Sequence, residues 1–328
     1  MARGPDELTD ALAAVLSARF GTAADVAGLE RLSGGASRET FAFDLALDGA
    51  EPRPLILQRA RPGGTRAGIG MAGEAALVRI AAGRGVPVPE IVAADGDPDV
   101  GAADLGAPWI VADRVPGETL ARRILRDDEY AAARPRLVGQ CAEALAAIHR
   151  IPIAEAPPLT GGDPVDQQRT TLDQLGQPHP AIELGLRWLE ANRPPARPAT
   201  VVHGDFRNGN LVVGPDGLRA VLDWELAHSG DPIEDLGWFC VRAWRFGSNE
   251  PAGGFGGRDE LLAAYEAAGG GTVDPAELHW WEVLGTLKWG VICVMQASAH
   301  LMGLSRSVEL AAIGRRVCET EHDLLELL

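Results

Sequence analysis

Apolar residues recur at three- and four-residue spacing over residues 6–20, where Leu8, Leu12, Val15 and Leu16 would share one face of a helix. The period then falls to two. Phe41, Phe43, Leu45 and Leu47 alternate as in a half-buried strand, and Leu55-Ile56-Leu57-Gln58-Arg59 predicts a second strand beyond the turn-rich residues 48–54. Ala76, Leu77, Ile80 and Ala81 predict a helix over 72–83, stopped by the prolines at 87 and 89. Residues 109–112 form another strand, and beyond Pro116-Gly117 the pattern is mostly helical. Leu137, Cys141, Ala144, Leu145 and Ile148 mark a strong helix over 135–148, and 181–191 a shorter one. Brief apolar strands flank residues 203–210 and precede Asp223. Asp274, Pro275 and Glu277 stand at the N-cap, first and third positions of a further helix. Residues 280–304 are the most apolar stretch, but Glu282, Lys288 and His300 interrupt it, so it reads as a buried helix and not a membrane span. The glycine-rich residues 253–257 follow Pro251 with no strand before them and are expected to form a mobile surface loop.

Composition narrows the function. The 328 residues are 46% hydrophobic, as in a globular protein, with 30 basic against 46 acidic residues and a net charge of −16. Clustered Lys and Arg for phosphate backbones are missing, which argues against nucleic acid and anionic membrane as partners. Lys288 is the only lysine and is followed by Trp289, so no Walker A loop exists. Cys141, Cys240, Cys293 and Cys318 are too far apart in sequence for a zinc pair and are expected to be reduced, buried thiols of a cytoplasmic protein. The apolar residues 11–16 are too short for the core of a signal peptide.

The chemistry concentrates in His203-Gly204-Asp205-Phe206-Arg207-Asn208-Gly209-Asn210 and in Leu222-Asp223-Trp224-Glu225. Asp205, Asn210 and Asp223 bring three side-chain oxygens onto loops directly after short apolar strands. Mg²⁺ takes oxygen ligands, commonly one or two carboxylates completed by phosphates and water. Asp223 and Asn210 suit such an ion, which leaves Asp205 to accept a hydroxyl proton. Phosphoryl transfer needs this division of labour.

These two motifs, with Gly230-Asp231-Pro232-Ile233-Glu234-Asp235-Leu236 after them, resemble the aminoglycoside phosphotransferase-like small-molecule kinases, a branch of the protein-kinase-like fold. The resemblance runs from about residue 29 to about 300. It implies an α+β fold with a small sheet-rich N-lobe (1–115) and a larger helical C-lobe (116–328), using Mg²⁺ and ATP, or GTP, to phosphorylate a hydroxyl of a small molecule. It implies Asp205 as catalytic base, Arg207 as a second catalytic residue screening the transferring phosphate, and Asn210 and Asp223 as metal ligands. His203 is expected to brace the loop, Asp231 to start a helix, and Asp235 to accept from catalytic-loop backbone.

For the nucleotide, Gly34, Gly35 and Ser37 occupy the place of the kinase glycine loop, where backbone N–H groups approach phosphates. Ala112 and Asp113 fall in the hinge that would read the base through its backbone. Kinases pair a strand lysine with a helix glutamate, and here arginine must substitute. The register falls on Gln58 or Arg59, of which only one can face the cleft. Phosphate charge favours Arg59, with Glu74 as its partner. Arg242 and Arg245, three apart on one expected helical face, would line the acceptor side and favour an anionic acceptor over a polycationic aminoglycoside. Trp238, Trp244, Trp281 and Trp289 are expected mainly in the core. Two alternatives stand beside this reading: a nucleotide-binding pseudokinase, and an aminoglycoside-modifying kinase.

Overall fold

The computed structural model describes residues 5–32, 38–61, 68–101, 104–304 and 306–328. The chain opens with helix α1 (Pro5–Phe20), followed by β1 (Ala24–Arg31), β2 (Arg38–Leu47) and β3 (Arg53–Ala60). Helix α2 (Gly70–Gly83), β4 (Ile91–Ala94) and β5 (Trp109–Asp113) complete a five-stranded antiparallel sheet of order β1-β2-β3-β5-β4. Strand alternation gives this sheet two different faces. Phe43, Leu45, Leu55, Leu57, Trp109 and Val111 pack against Leu8, Leu12, Val15 and Leu16 of α1, the helical stripe expected from the sequence. The opposite face, with Ile56, Gln58 and Ala112, looks toward the helical part of the molecule.

That helical part begins with α3 (Ala121–Arg126), α4 (Arg134–His149), α5 (Pro164–Leu175) and α6 (Pro180–Ala191). Four short strands follow: β6 (Thr200–Val202), β7 (Leu211–Gly214), β8 (Gly217–Val221) and β9 (His228–Gly230), paired β6 with β9 and β7 with β8. The last helices are α7 (Ile233–Cys240), α8 (Arg258–Ala267), α9 (Pro275–Leu301), α10 (Val308–Gly314) and α11 (Val317–Leu327). The architecture is α+β, with a sheet-rich N-lobe and a larger helical C-lobe. Among the described residues no helix is long and apolar enough to cross a membrane. Cys141, Cys240 and Cys293 are buried free thiols, as expected, whereas Cys318 is exposed.

Helix α9 starts as its sequence dictates. Asp274 caps it, accepting from the Ala276 N–H at 2.8 Å, and Pro275 takes the first turn, where its missing N–H costs nothing. Glu277 does not close a capping box; its carboxylate pairs with Arg197 at 2.5 Å. Helix α7 lies across α9 at very close range. A Cβ at Gly237 would stand 2.5 Å from Trp281 Cβ and its carbonyl carbon. Only hydrogen at this position lets the two backbones meet.

The glycine-rich stretch after Pro251 departs from the expected mobile surface loop. Ala252, Gly253, Gly254 and Gly256 are buried. The Gly253 N–H donates to the Phe239 carbonyl at 3.0 Å, and the Asn208 amide donates to the Gly253 carbonyl at 2.9 Å. Gly253 has φ +60°, and the Phe239 ring fills the space where a Cβ would go. The glycines permit close packing beneath residues 203–210 instead of conferring mobility.

Gly237→Ala should overpack the α7–α9 contact and cost about 1–3 kcal/mol, read as a lowered urea midpoint. An unchanged midpoint would show that the helices separate freely here.

Candidate active site

Residues 203–210 leave β6 and turn back into β7 with no regular structure to satisfy their backbone. Asp235 of α7 supplies the missing acceptor. It is fully buried, and its two carboxylate oxygens accept from the His203 N–H at 2.7 Å and the Gly204 N–H at 2.9 Å. His149 Nε2 lies 3.1 Å away, with Tyr265 Oη 2.7 Å from the other ring nitrogen. Burial alone would raise the Asp235 carboxyl; the contact with His149 and the backbone donors hold it below the usual range. Asp231 accepts from the Ile233 N–H at 2.9 Å and starts α7.

His203 is fully buried and joins two loops. Nε2 lies 3.1 Å from the Leu222 carbonyl, Nδ1 accepts from the Asp205 N–H at 3.2 Å, and the ring sits 4.8 Å from that of Trp224. Burial lowers its pKa, which suits a neutral imidazole donating at one nitrogen and accepting at the other. Gly204 turns with φ +80°, and a Cβ there would meet the Leu226 carbonyl oxygen at 2.5 Å.

The Asp205 carboxylate is held from three sides. Asn210 Nδ2 donates to Oδ2 at 2.7 Å, while Arg207 Nε at 3.0 Å and the indole of Trp238 at 2.9 Å both donate to Oδ1. The Arg207 guanidinium also lies 4.6 Å from the centroid of the Trp244 ring. Trp238 was expected as core. It is indeed buried, yet its N–H fixes the expected base, which hydrophobic periodicity does not signal.

Asp223 follows β8 with φ +65°, a rare conformation for a residue other than glycine. Burial pushes its carboxyl up to about 7, with Glu225, Asp205 and Glu74 acting in the same sense and Arg38 against them. Asp223 lines two cavities. One, of about 490 Å³, lies between the sheet and the C-lobe and reaches Gln58, Glu74, Ala112 and Asp113. The other, of about 810 Å³, reaches Asp205, Arg207, Trp238, Lys288 and the inner side of α9 and α10. Among the described residues no three His, Cys, Asp or Glu side chains form a metal cage. The local donors nonetheless fit a hard cation that also binds phosphate. The Asp223 carboxylate is buried in surplus negative charge, the Leu222 N–H just before it donates to the Asn210 carbonyl at 2.8 Å, and the Asn210 Nδ2 is turned to Asp205.

The expected Arg59–Glu74 pair does not form. Arg59 shares the sheet face of Leu55 and Leu57, turned away from the cleft. Its guanidinium bonds Glu39 at 2.6 Å and the Leu105 carbonyl at 2.9 Å. Arg38 of β2 takes Glu74 instead, with Nη1 to Oε1 at 2.9 Å and Nη2 to Oε2 at 2.5 Å. It also reaches Gln58 at 3.2 Å and, across the cleft, Glu225 at 3.1 Å. The register explains this: Arg38 pairs with Ala60 and Thr40 with Gln58, so the side chains of 38 and 58 share the cleft face. At the hinge, the Asp113 carboxylate is tied to Arg53 at 2.7 Å, leaving backbone to face the cavity. Gly34, Gly35 and Ser37 lie outside the described residues.

Arg242 and Arg245 do not line the acceptor side. Their segment is a four-residue 3-10 helix, Arg242–Arg245. Arg242 is exposed and pairs with Asp323 at 3.1 Å, and Arg245 bonds the buried Glu282 at 2.7 Å alongside Arg258. Both neutralise acids, though not Glu250 or Asp259.

This fold and this arrangement of loops are those of protein-kinase-like phosphotransferases. A provisionally named aminoglycoside phosphotransferase from Ralstonia eutropha superposes with a TM-score of 0.72 at 20% identity, covering 97% of both chains. A choline/ethanolamine kinase family protein from Mesorhizobium loti superposes at 0.64 and 21% identity, covering 98% of this chain and 94% of that one. Aminoglycoside phosphotransferase APH(4)-Ia, solved with ADP and hygromycin B, superposes at 0.60 and 18% identity, with 95% and 98% covered. In sequence, the chain belongs to the phosphotransferase enzyme family, APH, whose profile it matches over residues 28–281. It is 28% identical over 224 residues to mouse acyl-CoA dehydrogenase family member 10, covering 63% of this chain and 20% of that protein. It is 42% identical over 65 residues to human acyl-CoA dehydrogenase family member 11, covering 19% and 8%. The chain thus spans a fifth or less of these relatives.

Asp235→Asn should turn an amide NH₂ toward backbone donors and leave a buried N–H unpaired. A loss of about 3 kcal/mol in urea unfolding is expected. Wild-type stability would mean that the loop finds its acceptors elsewhere.

Proposed function

We propose that this chain is a small-molecule kinase that moves the γ-phosphoryl group of ATP or GTP to an acceptor hydroxyl. The observation that carries the reading is the place of Asp223, which lines both cavities, while Asp205 lines only the larger one. A nucleotide in the cavity against Ala112 and Asp113 would end its phosphate chain at Asp223. An acceptor in the larger cavity would meet it at Asp205. The family's name and those of the structural neighbours support phosphoryl transfer to small molecules and leave the acceptor open.

In this reading Asn210 and Asp223 hold Mg²⁺, which when bound neutralises the phosphate charge. Asp205 accepts the proton of the acceptor hydroxyl as its oxygen bonds to the γ-phosphorus and the bond to the bridging oxygen of the β-phosphate breaks. Trp238, Arg207 and Asn210 fix the carboxylate in rotation, so no reorientation is needed at the moment of transfer. Arg38 supplies the cation that phosphates need in the N-lobe, with Glu74 and Gln58 fixing its guanidinium, and replaces Arg59 in that role. Arg207 positions the base and carries positive charge beside the transferring group.

Asp205→Asn should keep MgATP binding and slow turnover by about 10²–10⁴, the usual worth of a general base; more than half of wild-type turnover in a chemistry-limited assay rejects the base assignment. Asp223→Ala should abolish Mg²⁺-dependent nucleotide binding by calorimetry, and unchanged affinity speaks against its metal role. Arg38→Met should raise the nucleotide KM at least tenfold, the worth of a lost charge-assisted hydrogen bond. Arg59→Met should act on stability alone. The opposite pattern would restore Arg59 to the phosphates.

A further inference from the structure

We infer that His228, Glu234 and Lys288 form an anion subsite of the acceptor cavity, which takes the carboxylate of a hydroxylated acceptor. The inference rests on the kinase reading for the identity of that cavity, and on geometry for the rest. Glu234 of α7 is buried, and each of its oxygens holds one basic group. Lys288 Nζ lies 3.1 Å from Oε1, and His228 Nε2 lies 3.1 Å from Oε2. One carboxylate therefore serves two potential cations. Burial works against charge on both Glu234 and His228, yet Lys288 and His228 pull the Glu234 carboxyl down to about 2, and Glu234 raises the His228 imidazole. His228 Nδ1 also lies 3.0 Å from the Leu226 carbonyl, so both ring nitrogens face acceptors, the arrangement of an imidazolium.

This cluster borders the cavity that contains Asp205, and it sits beside the reacting end. Lys288 Nζ is 3.5 Å from the Gly204 carbonyl, directly before Asp205. It also lies over the Trp238 ring, 5.0 Å from its centroid, and the indole N–H of that ring donates to Asp205. The ammonium has three N–H donors; Glu234 and the Gly204 carbonyl engage two, which leaves one for a ligand. The other charges lining the cavity do not compete for that ligand. Asp205 is paired with Arg207, Asp223 and Glu225 lie at the phosphoryl end, and Glu309 is exposed on α10. Trp244, Trp289, Ile292, Leu310 and Ile313 supply an apolar wall. An acceptor with a hydroxyl, a carboxylate and an apolar body matches these groups. A polyamine would set its charges against Lys288.

The test uses matched probes, a series of hydroxycarboxylates and their neutral primary amides, with the intact protein and MgATP. The acid should exceed its amide in kcat/KM by about 10- to 100-fold, the worth of a hydrogen bond to a charged group, with the difference carried by KM. Lys288→Met should level the pair with the nucleotide KM unaltered, and Lys288→Arg should restore part of the preference. Glu234→Gln/Lys288→Met removes one charge of each sign, leaves no unpaired buried carboxylate, and should level the pair at a thermal midpoint near that of the wild type, which separates ligand contact from collapse. Equal use of acid and amide by the wild type overturns the subsite, as does a Lys288→Met variant that lowers both alike. If no probe is phosphorylated, calorimetry decides independently: acid binding that Lys288→Met removes supports the subsite and counts against the kinase reading, and no acid binding overturns the subsite.

Discussion

The loop of residues 203–210 has no sheet or helix to absorb its backbone donors, and buried donors must be paired. Asp235 meets that requirement with a carboxylate in the middle of the C-lobe, taking the N–H groups of His203 and Gly204 together with His149. A buried carboxylate is tolerable only because every side is engaged. Its position then becomes a constraint on everything nearby. Asp235 lies on the eight-residue helix α7, and α7 is seated on α9 at Gly237. The residues on either side extend the same seat: Glu234 reaches Lys288 and His228, and Trp238 reaches Asp205. One short helix thereby sets the loop, the Asp205 carboxylate and a wall of the larger cavity.

Across the cleft the governing term is surplus negative charge. Glu74, Asp223, Glu225 and Asp205 converge there, and Arg38 is the guanidinium that meets two of them at once, Glu74 and Glu225. A lysine is a point charge on a flexible stem, whereas a guanidinium presents a planar fork that can satisfy one carboxylate with two bonds and still reach another. The chain reaches this solution from β2 and leaves Gln58 on the adjacent strand as an uncharged neighbour. The lobes are then joined by an ion pair as well as by the chain connection.

How legible this was in the sequence varied with the range of the interaction. The Asp205–Asn210 spacing is local, and a 2.7 Å hydrogen bond joins the two, while the N–H of Leu222, just before Asp223, donates to the Asn210 carbonyl. The α1 stripe and the strand alternation were equally plain, because they depend only on period. Arg59 illustrates the converse. Leu55 and Leu57 already fix its face by alternation, yet the demand for phosphate charge pointed the other way; the period was the better guide. Arg38 was hidden because pairing across β2 and β3 decides its neighbours. Arg242 and Arg245 were misjudged because their partners, Asp323 and Glu282, are 81 and 37 residues away. The glycines after Pro251 read as a mobile loop only while Phe239 and Asn208 were unseen beneath them.

Helix α9 shows how a cavity lining can change while the fold does not. Its 27 residues carry two stripes at helical spacing. Trp280, Val283, Leu287 and Val291 enter the C-lobe core, Trp281 and Leu284 belong to that core and also border the larger cavity, and Lys288, Ile292 and Met295 line the cavity outside that core. The interruptions that argued against a membrane span follow the same division. Glu282 is neutralised at the base of the helix by Arg245 and Arg258, and Lys288 falls on the cavity stripe. A substitution on the core stripe alters volume in a packed interior and is felt as stability. One at Ile292 or Met295 alters the cavity lining and leaves the Asp235 contacts to residues 203 and 204, made on α7, as they are.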